Sequence, residues 1–188
     1  MSTPVLLALY EGRTDEAQRL AAAGALSLPE AAALGAIDAG RAQLDSGASA
    51  DDVSPDGWPS LHLAAYFGQV HMVALLIERG ASVNSMATSA QGNSALHAAL
   101  AGRGDDAVVN ALLDAGANVN APDVHQVRPV HLAAARGNLN ALARLIAHGA
   151  RLDVRLADGA SPADVARQRG HDAAAAWIEQ HTATGPGT

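Results

Sequence analysis

Three histidines in matching contexts are the residues of this chain best suited to chemistry. His62 follows Leu61, His97 follows Leu96 and His131 follows Val130. Imidazole nitrogens bind transition metals and transfer protons near neutral pH. If the three lie on equivalent helices of successive repeats, those helices are about 8–10 Å apart, whereas zinc–nitrogen bonds measure about 2.0–2.1 Å. The histidines cannot then share one ion, so we expect them to be structural and expect no bound metal.

Other catalytic signatures are missing from the sequence. The chain has no cysteine and no lysine, which excludes disulfides, thiolate metal sites and a lysine-containing phosphate loop. A Gly-x-Ser-x-Gly nucleophile motif is also absent. The loop acids Asp51, Asp52 and Asp56 could bind a cation weakly, although a solvated loop is the favoured alternative. We therefore expect no cofactor and no enzymatic activity.

The amino-acid composition limits which binding partners and which cellular compartment we expect for this protein. The 188 residues carry a net charge of −7, which disfavours non-specific binding to nucleic acid or to an anionic membrane. The first residues lack a basic segment, and no apolar stretch is long enough to span a bilayer. Abundant alanine and glycine without lysine suggest a GC-rich bacterial genome. We predict a cytoplasmic, bacterial protein.

The elements that position these residues repeat along the chain. One series of glycines closes the first predicted helix of each repeat: Gly12, Gly35, Gly68, Gly104, Gly137 and Gly170, with steps of 23, 33, 36, 33 and 33 residues. The short first step predicts that a loop is missing between the first two repeats. The step of 36 predicts a longer loop over 85–91 and one extra residue in the turn over 102–104.

Apolar residues at helical spacing predict a pair of helices in each regular repeat. Helix-ending glycines set the boundaries, because glycine adopts the left-handed conformation at little cost. The predicted pairs are 60–67 with 72–79, 94–101 with 106–114, 128–136 with 139–147, and 161–168 with 171–180.

The core motifs identify a family resemblance. Leu61-His62-Leu63-Ala64-Ala65 and Val130-His131-Leu132-Ala133-Ala134 match each other, and a period near 33 with a Thr-Pro-Leu-His-x-Ala core is the ankyrin signature. The chain thus resembles the ankyrin-repeat family. The resemblance implies an all-α solenoid of about six helix-turn-helix units with connecting hairpin loops. It also implies that the repeat histidines bridge backbone groups of neighbouring loops.

The predicted organisation is a single ankyrin-repeat domain over 1–181, followed by a disordered tail over 182–188. The predicted repeats span approximately 3–25, 26–55, 56–90, 91–124, 125–157 and 158–181. Gln126 stands where other repeats have Gly57, Gly92 and Gly159, so we expect a different turn shape in that loop.

Aromatic residues mark the predicted binding face, because partners of the ankyrin-repeat family usually bind the concave face made of hairpin tips and the exposed side of the first helices. Three of the five aromatics lie within ten residues, and large aromatics are typical anchors. The alternative is that they pack over small alanines and fill space. The predicted partner-binding residues are Tyr10, Trp58, Tyr66, Phe67, Gln91, Asn93, Val124, His125, Val127 and Arg136.

These observations predict a monomeric, non-enzymatic protein–protein interaction module with an unknown partner protein. The alternative is an accessory or regulatory protein of a stress-response enzyme, for example a catalase. This alternative rests on family-level association alone and has no residue behind it.

Overall fold

The backbone is described by a computed structural model over residues 2–90, 92–103 and 106–183. Within these ranges it forms twelve α-helices and two isolated β-bridges, so the predicted all-α class is confirmed. In chain order the helices are α1 Pro4–Tyr10, α2 Thr14–Ala22, α3 Leu28–Leu34, α4 Ile37–Asp45, α5 Ser60–Tyr66, α6 Val70–Glu78, α7 Ala95–Ala101, α8 Asp106–Asp114, α9 Pro129–Ala135, α10 Leu139–Ala147, α11 Pro162–Gln168 and α12 Asp172–Ala183.

The helices alternate between a short inner type and a longer outer type. Each odd-numbered helix has seven residues, and the even-numbered helices α2 to α10 have nine. Gly68 follows α5 at φ +76°, and Gly80 follows α6 at φ +86°. Only glycine takes this left-handed conformation without steric cost, so each helix of the pair ends where the sequence predicts.

The contacts divide the chain into two compact units, an N-terminal unit over Met1–Gly116 and a C-terminal unit over Ala117–Thr188. In the N-terminal unit the odd-numbered helices pack side by side in the order α1, α3, α5 and α7, and α4, α6 and α8 pack in the same order beside them. Leu61, Met72 and Leu76 are fully buried in its core. Burying each such side chain contributes roughly 1.5–3 kcal/mol.

The C-terminal unit contains α9 to α12. The inner helices α9 and α11 pack against each other, and each packs against the outer helix that follows it. Leu142, Leu145 and Ile178 are its largest fully buried side chains. The prediction of one domain over 1–181 stays a prediction.

Two boundary predictions can be compared with the structure. Only residues 23–27 connect α2 and α3, which confirms the missing loop between the first two repeats. The disordered tail was predicted to begin at residue 182, but α12 continues to Ala183. The Thr182 hydroxyl donates to the Ile178 carbonyl at 2.8 Å within this helix. Residues 184–188 lie outside the described residues.

The loop at Gln126 does not have the different turn shape that we predicted. Gln126 itself adopts φ +63°, in the same left-handed region as Gly57 at +91°. Its amide donates to the Asp123 carbonyl at 3.1 Å, just as the Gly57 amide donates to the Ser54 carbonyl at 2.9 Å. The surrounding repeat imposes the turn, and the glutamine carries the steric cost of it.

Candidate functional site

The N-terminal unit contains a groove of about 390 Å³ at the surface formed by α1, α5, α7 and the loop before α5. Two of its residues, Tyr10 and Tyr66, are the last residues of α1 and α5. Ala101 ends α7 in the same way, so one repeat position supplies three of the groove residues. The groove is lined by Tyr10, Trp58, His62, Leu63, Tyr66, Asn93, Ala98 and Ala101.

The groove combines large aromatic side chains with small ones. Tyr10 and Tyr66 are each 39% exposed, and Trp58 is half-buried against the apolar cluster beneath it. The α7 residues Ala98 and Ala101 have only a methyl side chain. The recess therefore follows from a difference in side-chain size between neighbouring repeats.

Phe67 differs from the prediction that it faces a partner. It is only 7% exposed and belongs to the apolar cluster that includes Leu6 and Leu63. Its ring stacks on Tyr10 with centroids 5.9 Å apart and meets Tyr66 edge-on at 5.1 Å. Its large apolar ring faces the interior because the neighbouring helices leave that space, so Phe67 supports the two exposed tyrosines from below.

Gly102 and Arg103, the two described residues that follow α7, help to position Tyr66; Gly104, the last residue of the predicted longer turn, lies outside the described residues. A Cβ atom added to Gly102 would lie 2.1 Å from the Tyr66 carbonyl oxygen and 2.7 Å from its Cδ2 atom, so only glycine fits there. The next amide, that of Arg103, donates to the Tyr66 carbonyl at 2.7 Å. The Arg103 guanidinium carbon lies 5.8 Å from the Phe67 ring centroid. The turn thus holds both the backbone and the ring of Tyr66.

Asp56 lies close to the groove residue Tyr10, although it is not part of the groove lining. Its carboxylate accepts hydrogen bonds from the Ser2 hydroxyl at 2.8 Å and from the Ser54 hydroxyl at 2.7 Å, and the Tyr10 hydroxyl donates to it as well. Partial burial raises the pKa of Asp56, but these hydrogen bonds outweigh it and the pKa lies below its usual value. Burial and the Asp56 charge raise the pKa of Tyr10, so its hydroxyl remains a donor.

His62 ties the groove to the next repeat. Its Nε2 atom donates to the Asn93 backbone carbonyl at 2.9 Å, which confirms for this histidine the bridging role that the resemblance implies. Burial lowers the pKa of His62 to about 4, so the ring is neutral and Nδ1 is an acceptor. Among the described residues Nδ1 has no hydrogen-bond partner.

Pro59 explains this unpaired nitrogen. In the next repeat the Ser94 amide donates to His97 Nδ1 at 3.3 Å. Pro59 occupies the position of Ser94 and has no amide hydrogen to donate. The departure from the Thr-Pro pair of the family therefore leaves a buried acceptor without a donor.

The remaining predicted residues fall into two groups. Asn93 lines the groove, whereas Gln91 lies outside the described residues. Four others belong to the C-terminal unit: Val124 is 59% exposed, His125 and Arg136 are exposed, and Val127 is half-buried. A role for these four in binding stays a prediction. The small groove residues Ala98 and Ala101 were not predicted from the sequence. Alignment of Ala101 with Tyr66 would have identified Ala101 as an inner-helix end without a large side chain.

Two of the three loop acids, Asp51 and Asp56, accept hydrogen bonds from the protein itself. Asp51 accepts from the Ser82 amide and from the Ser82 hydroxyl, both at 2.7 Å, and so joins two successive loops. Within residues 2–90, 92–103 and 106–183, no cluster of three or more acidic or histidine side chains is arranged to hold a metal ion. No helix in the same ranges is long and apolar enough to cross a membrane.

The sequence model described as "Ankyrin repeats (3 copies)" matches residues 28–123. The chain belongs to the ankyrin-repeat family. The human cyclin-dependent kinase 4 inhibitor B is 41% identical over 123 residues, which cover 65% of this chain and 85% of that protein. The Caenorhabditis elegans homologue of transient receptor potential cation channel subfamily A member 1 is 39% identical over 107 residues, 57% of this chain but only 9% of that protein.

A third relative matches more of the chain at lower identity. The human ankyrin repeat and SOCS box protein 16 is 28% identical in an alignment of length 219, gaps included, that covers 91% of this chain and 48% of that protein. The chain therefore spans most of the kinase inhibitor, about half of the SOCS box protein and a small part of the channel homologue. Ankyrin repeats shared by proteins of such different kinds support a protein–protein interaction module.

Proposed function

We propose that this ankyrin-repeat chain is a non-enzymatic module that binds a partner protein through the groove of the N-terminal unit. The observation that carries the proposal is the pair of partly exposed tyrosines beside Trp58 in a recess whose other lining residues are mostly apolar. Tyrosine and tryptophan are enriched among residues that dominate binding energy. Contiguous exposed apolar surface on a folded protein commonly marks an interaction site.

The exposure of Tyr66 supports this proposal. Every other residue of α5, from Ser60 to Ala65, is buried, so α5 exposes only its last residue. A side chain that merely filled space would pack against Gly102 and Phe67 and leave little ring surface to solvent. Tyr66 makes both contacts and still exposes 39% of its surface.

The partner class follows from the relatives, and we propose it on that basis alone. Cyclin-dependent kinase 4 inhibitor B is named for a protein kinase, so a kinase is the first class to test. The second candidate is a stress-response enzyme such as a catalase, which would use the same groove. We also propose that the protein is cytoplasmic, bacterial and monomeric.

An affinity capture with the full chain tests the groove. We expect Trp58→Ala with Tyr66→Ala to weaken binding of the captured partner by about thirtyfold or more, since a true anchor contributes about 2 kcal/mol or more. Trp177→Ala is the matched control, because Trp177 is a half-buried tryptophan of the C-terminal unit. Thermal unfolding of each variant separates lost binding from lost structure.

Two results would contradict this proposal. Unchanged binding by the double variant would place the interface elsewhere, and Val124→Ser with His125→Ser would then test the residues predicted in the C-terminal unit. Unfolding of the double variant would assign the aromatics to the core. Tyr66→Arg alone, which keeps the helix and blocks the groove, would then decide whether the surface is used.

A further inference from the structure

We propose that the groove receives an arginine side chain presented by the partner protein. This inference rests on the proposed function, because it names the kind of residue that the same groove would bind. The aromatic rings, an unpaired acceptor and the charges near the groove support it.

The aromatic rings favour a flat cation. Tyr10, Trp58 and Tyr66 line one groove, and a guanidinium group stacks on aromatic faces through its positive charge and its planar shape. The methylene groups of an arginine would pack against apolar groove residues such as Leu63 and Ala98. A volume of about 390 Å³ is sufficient for one extended side chain.

One residue of the groove lining, Asn93, carries a buried acceptor without a hydrogen-bond donor in the described part of the chain. The Oδ1 atom of Asn93 is buried and accepts no hydrogen bond from the described residues. Buried polar atoms are nearly always paired in proteins, because an unmade hydrogen bond costs the full desolvation of the group. Arginine offers five N–H donors and no acceptor. A purely apolar anchor would leave Oδ1 unpaired.

The local charges also favour a cation. Asp56 is an ionised carboxylate that accepts a hydrogen bond from Tyr10, and the whole chain carries a net charge of −7. Arg103 adds a positive charge on the opposite side and stacks over Phe67, and neither Asp56 nor Arg103 is among the residues that line the groove. The same contact shows that this aromatic cluster already packs against one guanidinium group. An acidic anchor would offer no hydrogen-bond donor to the Asn93 oxygen.

Nuclear magnetic resonance of the full chain provides the test, with N-acetyl-L-arginine methylamide as the probe. We expect the indole N–H signal of Trp58 to shift on titration and that of Trp177 to stay in place. The matched neutral probe is N-acetyl-L-citrulline methylamide, which has nearly the same shape without the charge. We expect it to bind about fivefold or more weakly, which corresponds to about 1 kcal/mol for the cation–aromatic contact.

Two further probes test whether the groove prefers an apolar or an acidic side chain. N-acetyl-L-phenylalanine methylamide represents an apolar anchor, and N-acetyl-L-glutamic acid methylamide represents an acidic one. The inference would be overturned if either of these probes, or the citrulline probe, bound as tightly as the arginine probe or more tightly. It would also be overturned if the arginine probe did not shift the Trp58 signal.

Substitutions in the groove should raise or lower the affinity for the arginine probe in a predictable way. Asn93→Asp adds a negative charge next to the proposed guanidinium and leaves the backbone carbonyl that His62 uses, so we expect the arginine probe to bind several-fold more tightly. Tyr66→Ala should weaken the arginine probe by about fivefold, while Tyr66→Phe keeps the ring and should keep the affinity. Weaker binding to Asn93→Asp would contradict the inference.

The capture experiment separates this inference from the proposed function. If the Trp58 and Tyr66 double variant loses the partner but the probes show no preference for arginine, the groove binds a different anchor and only the inference fails. If the double variant keeps the partner, the proposed function fails whatever the probes show.

Discussion

At the residue scale, Pro59 is a position where the sequence departs from its family at a measurable cost. The unpaired Nδ1 atom of His62 is buried beside the start of α5, and a buried unpaired acceptor costs about 1–3 kcal/mol. We expect Pro59→Ser to provide the amide hydrogen that Ser94 provides in the next repeat. Allowing for the loss of proline rigidity in the unfolded chain, the net gain in unfolding free energy should be about 1 kcal/mol.

Thermal and urea unfolding measure the effect of Pro59→Ser. Pro129→Ser is the control, because the preceding Arg128 amide already donates to His131 Nδ1 at 3.1 Å and the change satisfies no new group. A gain of the same size in the control, or no gain in Pro59→Ser, would show that the unpaired nitrogen is not what costs stability.

The repeat histidines also predict a pH dependence of stability. Burial lowers the pKa of His62 and of His131 to about 4, below the ordinary value of about 6.5. Between these values the unfolded chain binds protons that the folded chain does not. The unfolding free energy should therefore be highest above pH 6.5 and fall towards pH 4, by up to about 1.4 kcal/mol per pH unit for each histidine.

Urea unfolding at pH 7.5, 6, 5 and 4.5 checks this histidine effect. Asp56 and Asp164 have lowered pKa values, so their contribution is lost only as pH falls below their usual range near 4. His131→Asn should reduce the slope between pH 6.5 and 4.5, and this reduction should appear without a matching loss of stability at pH 7.5 beyond that of the removed hydrogen bonds. A flat profile over this interval would contradict the assignment.

Gln126 gives a third residue-scale prediction. The Gln126 backbone at φ +63° is strained by about 1–2 kcal/mol. Glycine would relieve this strain, but it loses more backbone entropy on folding, which offsets part of the gain. We expect Gln126→Gly to stabilise the protein by about 0.5–1 kcal/mol in thermal unfolding. Gly57→Ala is the reciprocal test and should destabilise, because its Cβ would also lie 2.9 Å from the Ser89 amide nitrogen.

At the element scale, the outer helices α2 and α4 are the weakest parts of the N-terminal unit. The only buried residue of α2 is Ala17, and that of α4 is Gly40. In contrast, α6 buries Met72, Val73, Leu75 and Leu76. Because each buried leucine or valine contributes roughly 1.5–3 kcal/mol and solenoid stability is nearly a sum of local terms, α2 and α4 should open first.

Hydrogen exchange followed by mass spectrometry tests this order of opening. We expect amides of α2 and α4 to exchange about tenfold or more faster than those of α6. The preceding helix α1 should exchange more slowly than α2 and α4, because it buries Val5, Leu6 and Leu9. Equal protection of α2, α4 and α6 would show that the chain opens as one cooperative unit.

At the scale of the whole molecule, net charge governs association. A net charge of −7 causes mutual repulsion between copies at low ionic strength, within a Debye length of about 10 Å at 0.1 M salt. We expect the purified chain to remain a monomer by light scattering across a hundredfold range of concentration. A dimer that persists at low salt would instead assign part of the exposed apolar surface to self-association.

Most of the fold could be predicted from the sequence because it depends on local signals. The period near 33, the helix-ending glycines and the buried stripes set all four regular helix pairs to within two or three residues. These features act over a few residues each, through left-handed φ angles and helical spacing. The candidate site was predicted in part: Tyr10, Trp58, Tyr66 and Asn93 line the groove.

The tertiary structure decided which of these residues face solvent and what shape their loops take. Nothing local distinguishes Phe67 from Tyr66, but the space between α1 and α5 takes the apolar ring and leaves the tyrosine exposed. In the same way, contacts with the rest of the repeat override the local preference of Gln126. Burial and strain are properties of packed neighbours, and the sequence alone does not give the positions of those neighbours.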